Sequence, residues 1–264
     1  MHTLPREDVT TSVVPSRRRR VALVAAGVLS CALPIVFTLN ISRMLVVGEL
    51  SEHRFHQLTG QGLLLFLLWF AGLVPLLRAG WTGRTPSTAA GLLHLTFVGV
   101  GLACSVAAPG GGAPILTGLI AVTGALVWAV LPVRPRLRTG LRVDPLLAPL
   151  ALLMAALQTP YAVGQVALQN QATGHHAQNP HYFDMAWLTM VVVVLGVLGA
   201  VVPVARRLSL WSAAVATGTG MAGVALGESL SWSVPTLVLG LLTGTVGLLL
   251  ASWPERRCAA ASSL

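Results

Sequence analysis

The chain has 264 residues, of which 55% are hydrophobic and 9% charged, with a formal net charge of +9. A soluble domain carries about 25% charged residues, so this chain has too few to cover a water-facing surface, and lipid is its expected solvent. All 17 basic residues are Arg, scattered between apolar runs; that distribution excludes a nucleic-acid surface, and with abundant Ala, Gly, Val, Leu and Pro it fits a GC-rich coding bias.

A spanning helix needs about 20 predominantly apolar residues. Eight runs meet the description: Val21–Ile41, Gly62–Leu77, Ala89–Ala107, Ala113–Val133, Pro145–Leu168, Met185–Ala205, Leu208–Gly227 and Trp232–Trp253. No stretch alternates apolar and polar residues at the length a membrane barrel requires. The expected fold class is an all-α integral membrane protein of eight transmembrane helices. Its domains read as a basic cytoplasmic tail (1–20), a first four-helix half (21–133), a basic cytoplasmic linker (134–144), a second half (145–253) and a cytoplasmic tail (254–264).

The first run follows Arg17–Arg20 directly. Together with Ser30-Cys31 it resembles a bacterial signal peptide with an imperfect lipoprotein cleavage site. The apolar stretch continues through Ala32–Ile41, however, so an uncleaved span is expected. The loop after it carries Glu49, Glu52, His53 and His56. Between the third and fourth runs, Pro109-Gly110-Gly111-Gly112 reads as a tight outer hairpin. The fifth run holds Gln158, Tyr161 and Gln165 on one helical face, with Pro160 freeing a backbone carbonyl beside them. The next loop carries His175, His176 and His181, with Asp184 just before the sixth run. Prolines recur inside or near the ends of the runs at Pro34, Pro75, Pro160, Pro203 and Pro235. The three cysteines, Cys31, Cys104 and Cys258, make no evident bridge and form no CxxC.

Arginine sets the orientation. With loops assigned alternately and the N-terminus inside, every Arg except Arg43 and Arg54 lies inside, a strong positive-inside pattern. Both termini are then cytoplasmic, in a bacterial-type plasma membrane. The halves also look alike: Pro34 to Pro75 spans 41 residues and Pro160 to Pro203 spans 43. Likewise Pro114 to Pro132 spans 18 and Pro235 to Pro254 spans 19. Four helices is an even number, so the repeats would be parallel, related by an axis along the membrane normal.

With that orientation five of the seven histidines lie outside. Imidazole and carboxylate suit Zn²⁺, and imidazole also suits Cu and Fe. The expected metal set is His53, His56, His175, His176, His181, Glu49 and Asp184, with Met44 and Met185 as soft donors nearby. Ordinary polar loops are the plainer reading, since no spacing matches HExxH or paired CxxC. A second candidate site, for a solute, is the Gln158–Tyr161–Gln165 stripe with His94, an ionisable residue within a span. The plainer alternative is hydrogen bonding between helices. A single intramembrane His argues against bis-histidine haem.

Three functions follow as expectations: transition-metal or metal-cofactor handling at an outer mouth, small-solute permeation along the fifth helix, or a non-catalytic subunit. The last would meet a membrane-protein partner or a second copy through Gly-rich helices. Gly223/Gly227 and Gly240/Gly244 each form GxxxG, which permits close helix contact within or between chains. An enzyme is disfavoured: there is no P-loop, GxSxG or GxGxxG, no visible nucleophile–base pair, and no room for a cytosolic domain.

Overall fold

The computed structural model describes residues 14–47, 54–137 and 140–261, with the backbone alone at 33, 44, 45, 175 and 253–261. Among the described residues there is no strand, and eight helices are long and apolar enough to cross a membrane. These are α1 (Arg17–Val47), α2 (Arg54–Thr82), α3 (Thr88–Ala107), α4 (Ala113–Val130), α5 (Leu147–Gln171), α6 (His181–Val201), α7 (Arg207–Leu226) and α8 (Leu230–Ala261). A short helix, Gly174–Gln178, lies between α5 and α6. The chain is built as a multi-pass membrane protein in contact with lipid.

Each expected span has its helix, but several boundaries move. α2 begins at Arg54 rather than Gly62, and α6 at His181 rather than Met185. Gln57, Thr59, Gln61, His181 and Asp184 lower the hydropathy of those turns, yet all five are buried against other helices rather than facing lipid. α6 also stops at Val201, short of the expected Ala205, because the residue before a proline avoids helical geometry. Val202 is extended (φ −114°, ψ 97°), and Pro203–Ala205 forms a 3₁₀ turn. Arg17–Arg20 belong to α1 rather than to a preceding tail, and α8 runs on through Ala261. Between α3 and α4 the glycine turn takes the expected hairpin, with Gly111 at φ 61° and Gly112 at φ 77°. Only glycine adopts such angles without strain.

In the first half α1 packs on α2 and α4, and α3 packs on α2 and α4. In the second, α6 packs on α5 and α7, and α8 on α7 and α5. The halves meet where α6 lies against α2 and α3, and α7 against α2. α6 is the most enclosed span, with 72% of its apolar window buried. Its continuous apolar sequence fits that position, since a helix apolar all round can be enclosed by others. At its centre Trp187 is fully buried, and its indole N–H donates to the Phe97 carbonyl at 2.9 Å. Gly101 of α3 makes the room: a Cβ there would lie 2.5 Å from the Trp187 ring.

The linker between the halves is tied to both. The Thr88 hydroxyl donates to the Arg136 carbonyl at 2.9 Å, and Pro135 lies against Gly91. Beyond 138–139, the Arg142 N–H donates to the Val201 carbonyl at 2.9 Å, and the Asp144 N–H to that of Ala200 at 2.8 Å. Asp144 Oδ1 accepts the N–H groups of Leu146 and Leu147 at 3.0 and 3.2 Å, where α5 begins. Its Oδ2 stands 3.0 Å from Arg206 Nη2. We predict that Asp144→Ala destabilises the protein by about 2 kcal/mol, a helix cap of about 1 plus a partly exposed ion pair of up to about 1. Thermal unfolding in detergent checks this. Arg206→Ala should reproduce only the second part, and an Arg206→Ala loss equal to that of Asp144→Ala would refute the division.

Candidate functional site

Two ends of the bundle differ in chemistry. At one end Arg20 lies over the Trp81 ring, 5.5 Å from its centroid, Arg206 pairs with Asp144, and backbone bonds hold Arg136 and Arg142 nearby. This is the arginine end. The other, where α2, α6 and α8 begin, is the histidine end.

At the histidine end α2 opens with one α-helical turn, Arg54–His56. It then takes π pitch over the 12 residues Gln57–Leu68 and returns to α at Trp69. π turns are rare, mostly single, and concentrated at functional sites. This segment buries Gln57, Thr59, Gly60 and Gln61. Gly60 faces Asp184 in the first turn of α6, where a Cβ on Gly60 would lie 2.8 Å from that of Asp184. One residue along, the Thr59 hydroxyl donates to the Phe55 carbonyl at 2.7 Å and lies 3.0 Å from Met185 Sδ.

Asp184 is 5% exposed. Its Oδ1 and the Oε1 atoms of Gln57 and Gln61 are buried and meet no hydrogen-bond donor among the described residues. A buried charge without compensation is costly, and ionisable groups inside a membrane bundle mark ion or substrate paths. The two amide oxygens are acceptors, and so is Asp184 Oδ1 while the carboxyl is ionised, so with Asp184 ionised this place lacks a donor or a cation.

The histidines that remain describable gather at the same end of the bundle. His181, one turn before Asp184, is buried; its ring lies 6.2 Å from that of His56 and 6.0 Å from that of His176. Tyr182 meets both, 5.8 Å from His56 and 5.2 Å from His176. The structure thus brings together His56, His176, His181 and Asp184 at one end of the bundle. Glu49 and His53 lie outside the described residues, as do the side chains of His175 and Met44. Among the described residues no three His, Cys, Asp or Glu side chains converge closely enough to hold a metal ion.

The polar stripe of α5 is longer than its sequence spacing suggested. Gln158 and Gln165 are buried, and so is Gln169, which the sequence reading missed although it continues the same face. Gln169 Oε1 accepts the Phe183 N–H at 3.2 Å, and its Nε2 donates to the His176 carbonyl at 3.1 Å. It thereby ties α5, the short helix and the start of α6 together. Gln158 Nε2 donates to Thr236 Oγ1 of α8 at 3.0 Å, and Tyr161 stacks on Trp232 with centroids 3.9 Å apart. Gln165 Oε1 finds no partner among the described residues. The Gln158–Thr236 pair is a hydrogen bond between helices of the kind that averages about 0.6 kcal/mol in membranes. We expect Gln158→Leu to cost no more than about 1 kcal/mol in unfolding experiments. A loss several times larger would show that the amide does more than join α5 to α8.

His94 stands apart, in the second turn of α3 toward the arginine end. It is buried against Trp69, with ring centroids 4.8 Å apart, and its Nδ1 accepts the Trp128 indole N–H at 3.2 Å.

Close glycine contacts are used within the chain. A Cβ on Gly240 would lie 2.6 Å from the Thr217 backbone, and one on Gly223 would collide with Ser233. Gly244 meets Ala213, and Gly227 ends α7 in the left-handed conformation at φ 72°. Comparison with protein families, curated proteins and solved structures finds no match for this chain.

Proposed function

We propose that this protein handles a divalent transition-metal cation at an extracytoplasmic mouth, with Asp184 as its buried anionic anchor and His56, His176 and His181 as the imidazoles that receive the ion. The carrying observation is Asp184: a carboxylate 5% exposed, with an oxygen that no described donor satisfies. The histidines at the same end of the bundle decide the class of ion, because a donor set of imidazole and carboxylate favours Zn²⁺, Cu or Fe over Mg²⁺ or Ca²⁺. The ring spacings of 6.0 and 6.2 Å mean that the loaded form draws the histidines inward or completes its shell from His53 and Glu49.

Orientation follows from the arginines. A cytoplasmic arginine end obeys the positive-inside rule and puts both termini in the cytoplasm and the histidine end outside a bacterial-type plasma membrane. The halves fit a parallel pseudo-twofold, since helix contacts keep their pattern when α1–α4 exchange with α5–α8. A residue on such an axis must touch its own counterpart. Pro34 and Pro160, His56 and Tyr182, and Thr59 and Met185 are each 126 residues apart, and the latter two pairs are in contact. Transporters with internal repeats place their sites at such an interface.

The test is elemental analysis by ICP-MS of protein purified in detergent after growth with added metal. The comparison is a variant with His56, His176 and His181 changed to Ala. Near-stoichiometric Zn, Cu or Fe in the parent, lost from a variant that elutes as the same monodisperse species, is the expected result. No metal in either sample, or equal metal in both, overturns the reading.

A further inference from the structure

A cavity of about 370 Å³ opens between α3 and α4, far from the histidine end. Its walls are largely apolar, including Val98, Ala121 and Ala125, and Arg134 lines it beyond the end of α4. His94 and Gly124 both line it, and a Cβ on Gly124 would lie 3.2 Å from His94 Nε2. An indole nitrogen can only donate, so the Trp128 bond to Nδ1 leaves the imidazole hydrogen on Nε2. That atom is buried and meets no partner among the described residues. Arg134 is held in place from behind: the next residue, Pro135, packs on Gly91, and Thr88 holds the Arg136 carbonyl.

Polar groups therefore stand at two depths, an exposed guanidinium at the membrane surface and a buried N–H about 9 Å along α3 from Thr88. Apolar walls run on between them. We propose that this cavity is a binding site for one anionic glycerophospholipid. Its phosphate pairs with Arg134, its ester carbonyl accepts from His94 Nε2, and an acyl chain lies over Ala121, Gly124 and Ala125. Guanidinium suits phosphate, and a basic pocket between helices at the cytoplasmic face is where anionic head groups bind. The larger groove of about 510 Å³ between α1 and α2 presents Arg78 but no imidazole or amide, so acyl chains can fill it without selection.

Native mass spectrometry of the full chain tests this, with dioleoyl phosphatidylglycerol or dioleoyl phosphatidylcholine added to the detergent micelles. The parent should retain one phosphatidylglycerol per chain under activation that strips phosphatidylcholine. Ala125→Phe changes an exposed residue and fills the cavity without touching the core, and should lower that occupancy about tenfold. Arg134→Ala should abolish the preference between the two lipids. His94→Phe should weaken retention, while His94→Gln, which keeps an N–H donor, should restore most of it. Equal retention of both lipids by the parent overturns the proposal, as does unchanged occupancy in Ala125→Phe. So does a stoichiometric isoprenoid quinone extracted from the purified parent and missing from Ala125→Phe.

Discussion

On the proposed metal-handling reading, Asp184→Asn should fold, bind metal more weakly than the parent, and be more stable than the parent when both are metal-free. The change keeps the shape that packs on Gly60, removes the charge and adds an N–H donor. Loss of even an outer-shell partner costs 10–100-fold in metal affinity, so loss of the anionic anchor should cost at least about 100-fold. Without metal, the parent leaves a buried acceptor unsatisfied, which costs about 1–3 kcal/mol. The variant replaces that group with an amide able to donate. Metal titration by calorimetry and thermal unfolding with a chelator present give the two readouts. The pairing of weaker binding with higher metal-free stability is the signature of a site that trades stability for function. An Asn variant that binds as well as the parent, or that melts lower without metal, would assign Asp184 a structural role.

Trp187→Ala should be the most damaging single truncation in the core, at about 3–5 kcal/mol. Lipid offers little hydrophobic drive for helices to associate, so the penalty arises from lost dispersion contacts and an unfilled cavity beside Gly101. The ring joins α6 of one half to α3 of the other, 4.7 Å from Phe97 and 5.6 Å from Phe183. Trp187→Phe keeps an aromatic ring and loses the bond to the Phe97 carbonyl, so a cost nearer 1–2 kcal/mol is expected. Unfolding in mixed detergent with increasing dodecyl sulfate measures both. Equal losses for Phe and Ala would show that the indole hydrogen bond, rather than ring volume, holds the halves together.

Hydropathy made the eight spans readable because most of each helix faces lipid or apolar neighbours. Failure came where a polar residue faces protein. Gln57, Thr59 and Gln61 read as loop because a sliding average cannot know that α6 lies opposite, so the opening turns of α2 were missed. The π pitch of that segment leaves no trace in its apolar pattern, and Asp184 seemed to stand before α6 for the same reason. The candidate site residues were chosen by type, from the clustering of His and carboxylate in two loops. Their meeting depends on α2 and α6 crossing at Gly60, one glycine among 27. Nothing in the basic linker singled out Asp144, since neither Arg206 nor the α6 carbonyls are near it in sequence. The α5 stripe was visible as periodicity; that its Gln158 meets Thr236 of α8 was not.

The linker gives the molecule a fulcrum. Thr88 and Gly91 hold its first part to one half, while Ala200, Val201 and Arg206 hold its last part to the other, all at the arginine end. A rotation of the halves about that tie would move the far end most, because the excursion grows with the lever arm. Across a hydrocarbon core of about 30 Å, a swing of roughly 10° opens the far end by about 5 Å while hardly changing the near one. Such a swing would part the halves on the histidine side, where Gly60 packs on Asp184.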